Sequence, residues 1–215
     1  MTGQSTSRGG EKNPRPCHLI QLTCGSIALT ELLFLLQQGF TVPLESDMTL
    51  QRLLQRLGYT DGYIAERIQT VFINGRPVDD FETTGISPGD SLGLSGAMPG
   101  LVGAVMRAGS YLAPFRENIK KTDGGGSKGK AEESLSLKLF NLVLRESGPH
   151  FLAAGVLISS RDLKSFFASR ESDFFRDCTS LVIDNEKTQP APGALDKISD
   201  DGRPVYFTAT LRKEA

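Results

Sequence analysis

One stretch divides this chain. Residues 116–133 read RENIKKTDGGGSKGKAEE, three consecutive glycines inside a run of charges. A segment of that composition has almost no apolar surface to bury and reads as a flexible linker. The first 16 residues, MTGQSTSRGGEKNPRP, are equally polar and read as a disordered tail. In a chain of 215 residues this leaves two segments, each sized for one small domain. The expected organisation is a tail at 1–16, a folded unit at 17–100, an apolar connecting segment at 101–115, the linker at 116–133 and a second folded unit at 134–215.

Hydrophobic periodicity gives both units the same kind of content. In the first, 18–23 reads as a strand and 28–38 (ALTELLFLLQQ) as an apolar helix closed by Gly39. Residues 40–44 alternate and read as a strand, placed at a sheet edge because of Pro43. Residues 46–57 carry Leu50, Leu53, Leu54 and Leu57 at helical spacing, with Asp47 or Thr49 as the cap. Strands at 69–73 and 76–79 flank Asn74-Gly75, a type I′ hairpin signal because both central residues need positive φ. A last strand covers 91–95. The second unit shows strands at 135–140, 155–158, 180–183 and 204–211. A short helix falls at 142–147, another follows Ser159-Ser160, and Asp184-Asn185 marks a turn. Ile73-Asn74 and Ile183-Asp184 are 110 residues apart, and the order of elements suggests a degenerate internal duplication.

Composition excludes several classes. The charges balance at 24 basic against 25 acidic residues, whereas a dedicated nucleic-acid binder usually shows a basic excess. Two histidines leave little room for a metal cluster. His18 and His150 have no cysteine or carboxylate near them at a useful spacing and read as structural. Cys17, Cys24 and Cys178 are too few and too unevenly spaced for a disulfide framework and read as buried thiols of a reducing, cytoplasmic environment. The most apolar stretch, 29–36, is far shorter than the ~20 residues of a membrane span. Asp79, Asp80 and Glu82 read as a solvated turn. The run from Gly124 to Ala131 mimics a phosphate loop but ends in Ala where magnesium needs a hydroxyl. No catalytic, metal-binding or cofactor-binding set stands out, and an enzyme is not expected.

The first unit resembles a known family. Thr41-Val-Pro-Leu44, Thr49-Leu-Gln-Arg-Leu-Leu54, Val71-Phe-Ile-Asn-Gly-Arg-Pro-Val78 and Ser87-Pro-Gly-Asp-Ser-Leu-Gly-Leu94 are similar to the ubiquitin-like β-grasp sulfur carriers. That family includes the small subunit of molybdopterin synthase and the sulfur carrier of thiamine biosynthesis. Leu137-Lys-Leu-Phe140 with Leu144-Arg-Glu-Ser-Gly148 resembles the family's first strand and helix more faintly. The resemblance implies an α+β fold of β-grasp type, in two degenerate copies. It also implies a protein partner, an activating or sulfur-transfer enzyme. The family's chemistry needs a terminal Gly-Gly. Here Ala97-Met-Pro-Gly100 runs on into Leu101, and the second unit ends Leu211-Arg-Lys-Glu-Ala215.

The expected function is therefore a non-catalytic protein-interaction module, with neither nucleic acid nor membrane as partner. The alternative is a sulfur-transfer protein activated by cleavage after Gly100. The partner-binding candidates are Ala97, Met98, Pro99, Gly100, Leu101 and Val105. Segment 101–115, with Leu101, Val105, Leu112 and its small residues, is expected to pack against protein.

Overall fold

A computed structural model describes residues 18–111 and 133–213. The tail, nearly all of the linker, Cys17 and Leu112 lie outside those residues. The fold is α+β. Among the described residues seven helices accompany a ten-stranded mixed sheet and a two-stranded ribbon. None of those helices is long and apolar enough to cross a membrane.

The first segment runs β1 (Leu19–Cys24), α1 (Ser26–Gln38), β2 (Phe40–Pro43), β3 (Met48–Thr49), α2 (Leu50–Arg56), α3 (Asp61–Arg67), β4 (Thr70–Ile73), β5 (Arg76–Val78), β6 (Gly85–Ile86), β7 (Ser91–Ser95) and α4 (Gly100–Met106). The second runs β8 (Ser134–Phe140), α5 (Asn141–Ala154), β9 (Val156–Ser159), α6 (Ser160–Ala168), α7 (Ser172–Asp177), β10 (Cys178–Ile183), β11 (Glu186–Thr188) and β12 (Pro204–Leu211). Strand alternation sorts the side chains onto two faces. Ile20, Leu22 and Cys24 of β1, Leu137 and Leu139 of β8, and Val205, Phe207 and Ala209 of β12 join the core. The alternate residues, among them Gln21, Lys138, Phe140, Tyr206 and Thr208, are half-buried or exposed.

The two segments share one sheet, in the order β11-β10-β1-β12-β9-β2-β8-β7-β4-β5. The opening strand of each segment lies beside the closing strand of the other, and both of these central pairs are parallel: β1 on β12 and β8 on β7. Five strands fall on either side of a seam formed by the single pair Thr41–Leu157 between β2 and β9. β2 is thus an inner strand, not the edge strand that Pro43 suggests. It bonds fully to β8 and touches β9 only at Thr41, so Pro43, exposed at the strand's end, withholds no N–H from a second neighbour.

The helices α1 and α5 correspond in order and pack on each other. Gly148 makes this possible: a Cβ there would stand 2.7 Å from Leu33 Cδ2 and 3.4 Å from Leu36 Cδ1. The expected short helix at 142–147 in fact extends through Pro149 to Ala154. Buried Leu152 and the ring pair of Phe40 and Phe151, 5.3 Å apart, hold the second half of α5 to the body and offset the cost of an interior proline. Three helices add to those read from the sequence. Thr60 caps α3 by accepting the Tyr63 N–H, α7 buries the adjacent Phe174 and Phe175, and α4 follows β7.

Candidate functional site

The hairpin between β4 and β5 organises one end of the first half-sheet. Asn74 and Gly75 have φ of 51° and 75°, as a type I′ turn requires. The Asn74 side chain then ties the turn to β7. Its Oδ1 accepts the Ser91 N–H at 2.9 Å, and its Nδ2 donates to Asp90 at 2.7 Å. Asp90 also accepts the Ser87 N–H at 2.7 Å, so both its oxygens are occupied.

Beyond this turn the side of β4, β7 and β8 away from the core forms a cleft of about 800 Å³, lined by Phe72, Gly93, Met98, Lys138, Phe140 and Asn141 among others. Gly93 is its floor. A Cβ there would lie 3.5 Å from the Phe140 ring and 3.7 Å from Phe72 Cβ. At the far end Asn141, with φ of 52°, donates from Nδ2 to the buried Ser95 Oγ at 3.0 Å. Lys138 is half-buried and, among the described residues, has neither a hydrogen-bond partner nor a counter-ion.

The chain leaves β7 along one wall of this cleft. Met98 lines it, while Ala97, Pro99 and Gly100 are exposed. Pro99 stands at the N-cap of α4 and Gly100 opens the helix with φ of 77°. Gly103 packs so tightly on the turn that an added Cβ would fall 1.8 Å from the Met98 carbonyl oxygen. The helix returns to the body through the Ala108 N–H, which donates to the Gln69 carbonyl at 2.8 Å. The Gly109 N–H likewise donates to Asp79 Oδ1 at 2.8 Å. The expectation that segment 101–115 packs against protein holds for Val105, which is buried, and fails for Leu101 and Val102, exposed at 75% and 64%. The short helix buries only Gly103 and Val105, and Leu101 sits in its first turn beside the exposed Pro99 and Gly100. Leu112 and Phe115 lie outside the described residues.

The remaining candidates sort as follows. Asp79, Asp80 and Glu82 line a second cleft with Asp61 and Arg107. Asp80 is held below the usual carboxylate range by the Thr83 hydroxyl and backbone and by the Glu82 N–H, an ordinary turn-closing arrangement. His18 does meet a carboxylate, against the reading from sequence. Its Nδ1 lies 2.6 Å from Asp184 Oδ2, because β1 pairs with β10, whose end turns at Asp184. His150 is exposed at the edge of Phe151. Cys24 and Cys178 are partners across β1 and β10, both buried and free. Burial pushes their thiols up to about 11 and about 12, so neither is a thiolate at neutral pH. Among the described residues no group of three or more His, Cys, Asp or Glu could hold a metal ion.

The candidates read from sequence therefore come together only in part. Met98 joins the cleft, Leu101 is exposed on α4, and Val105 serves packing. Phe72, Gly93, Lys138 and Phe140 were missed as a set. Their signal was a glycine inside an apolar strand and a lone lysine in an alternating one. No protein-family model matches the chain, and neither curated proteins nor solved structures provide a match.

Proposed function

We propose that this chain is a non-catalytic protein-interaction module whose partner docks on the segment following β7. The observation that carries the reading is the exposure of Leu101 and Val102 on α4, in a segment that continues from β7 at one end and is bonded to the body through Ala108 at the other. Large apolar side chains held in solvent by a fixed backbone are a feature of partner surfaces. In the sulfur carriers that the first segment resembles, the stretch after the last strand is the part that enters a partner. An activating or sulfur-transfer enzyme is accordingly the class of partner proposed. The finer reading of the fold, two degenerate β-grasp copies, draws support from the matched hairpin turns at Asn74-Gly75 and Asp184-Asn185, all four residues with positive φ. A cytoplasmic location fits the free thiols of Cys24 and Cys178.

The competing reading, cleavage after Gly100, has the exposure of Gly100 in its favour. Against it stands the packing of Gly103 on Met98, which binds α4 to the turn before it. The test is a photo-reactive residue at position 102 of the full chain, irradiated in extract of the native cell. One dominant protein adduct is expected, lost in Leu101→Glu/Val102→Glu while the melting curve stays within a degree of the parent. No adduct, or an adduct indifferent to that double substitution, overturns the proposal. A native product ending at Gly100 replaces it with the cleavage reading.

A further inference from the structure

We infer that the cleft between β4, β7 and β8 is a binding site for a small aromatic anion, a site separate from the surface on α4. Its size is that of a small-molecule pocket: about 800 Å³, within the roughly 300–1,000 Å³ usual for such sites. Its shape suits a flat body. Phe72 and Phe140 stand on either side of a floor that Gly93 keeps free of side chain. An inserted ring can meet either phenyl edge-on or offset, the arrangements that aromatic pairs prefer.

The sign of the ligand follows from which charged group is still open to a new partner. Two ionisable side chains line the cleft, Asp90 and Lys138. Asp90 is already bonded through both oxygens to Asn74 and the Ser87 amide. Lys138 is half-buried with no partner among the described residues. Its stem is partly covered by the cleft wall, which aims an ammonium with no such partner along the cleft. Gly39 gives its stem room: a Cβ at that position would lie 3.4 Å from Lys138 Cε and 3.1 Å from Ser136 Oγ. A carboxylate or sulfonate on the ligand supplies the missing charge. Ser91, Ser95, Ser136 and Asn141 offer hydroxyl and amide groups around it.

Two dyes with one ring system test this on the full chain: 8-anilinonaphthalene-1-sulfonate, an anion, and the neutral N-phenyl-1-naphthylamine. The wild type is expected to bind the anion in one-to-one ratio, about tenfold more tightly than the neutral dye, the size of one charge-assisted contact. Lys138→Gln should bring the ratio to about one, and Lys138→Arg should keep it. Gly93→Val should weaken both dyes. Because that variant fills a packed floor, chemical-shift mapping of the wild type provides the second locator, with amide shifts expected at Phe72, Gly93, Lys138 and Phe140. Equal affinity for the two dyes, a preference that survives Lys138→Gln, or shifts centred on Leu101 and Val102 overturns the inference. None of these results bears on the cross-linking at position 102, so the two proposals stand or fall apart.

Discussion

The two half-sheets are built alike and filled differently. Counting outward from the seam pair Thr41–Leu157, Ser136 and Ser91 in the first half correspond to Tyr206 and Leu19 in the second. One step along, Lys138, Gly93 and Phe72 correspond to Thr208, Gln21 and Val182. The backbone joints match as well. Gly39 ends α1 and Gly155 ends α5, with φ of 127° and 99°. At Gly155, however, an added Cβ would fall 2.0 Å from the Tyr206 hydroxyl, which donates to the Ala154 carbonyl at 2.7 Å. Its counterpart Ser136 stops short, 3.1 Å from the same point on Gly39. A tyrosine against a serine and a glutamine against a glycine therefore distinguish the outward face of the second half from the cleft of the first. Room on the outward face of this architecture is set by side-chain volume at two or three positions, with the hydrogen-bonded frame unchanged.

The largest expected effect tests that contrast directly. Gly155→Ala combines a positive-φ, extended backbone that glycine alone adopts readily with displacement of a hydrogen-bonded ring and should cost about 4 kcal/mol in chemical denaturation. Gly39→Ala meets only the milder Ser136 contact and should cost mainly the backbone part, about 2 kcal/mol. Equal losses would break the comparison, while relief of the Gly155→Ala loss by Tyr206→Ser would sharpen it. Next comes the contact that joins the halves beneath the seam. Gly148→Val forces α5 away from Leu33 and Leu36 and should lower stability by about 2 kcal/mol. An unchanged unfolding midpoint would show that the two helices tolerate a wider spacing than the one described.

The smallest effect concerns the two hairpin turns. Asn74 accepts the Ser91 N–H, and Asp184 accepts the Leu19 N–H at 2.8 Å. The first lock is completed by a carboxamide, the second by a carboxylate that faces His18. The His18 contact, then the Leu19 N–H, hold Asp184 below its ordinary value of 3.8. A carboxyl depressed by folding adds stability that is fully present above its unfolded pKa and is lost as pH falls through the folded one. The parent's advantage over Asp184→Asn should thus be level near neutrality and shrink in acid. For a pair this exposed it amounts to about 0.5 kcal/mol. Urea titrations of the parent and Asp184→Asn at several pH values check it, and a gap that widens in acid would sink the assignment.

Much of the frame was legible because local rules decided it. Asn74-Gly75 declared its turn, the alternation in 135–140 its strand, and the cap of α2 was narrowed to Asp47 or Thr49, of which Thr49 serves. α3 was hidden because it buries only Ile64 and so shows no apolar stripe. α7 was hidden because its two buried phenylalanines are adjacent rather than three or four apart. The exchange of opening strands could not be read at all. LIQLTC and SLSLKLF carry the same two-residue period, which tells a strand which face to bury and not which neighbour to choose. The cleft was equally out of reach, since Phe72, Gly93 and Lys138 become neighbours only when β8 enters between β2 and β7.

That exchange also sets a timetable. β1 is among the first described elements to leave a ribosome, and its two neighbours, β10 and β12, are among the last. At the usual ~5–20 residues per second, Leu19 waits on the order of 10–40 s for the chain that will pair with it. During that interval both edges of an apolar strand are bare, a template for any other extended chain nearby. A nascent protein of this design depends on whatever shields its first strand until the last has been made.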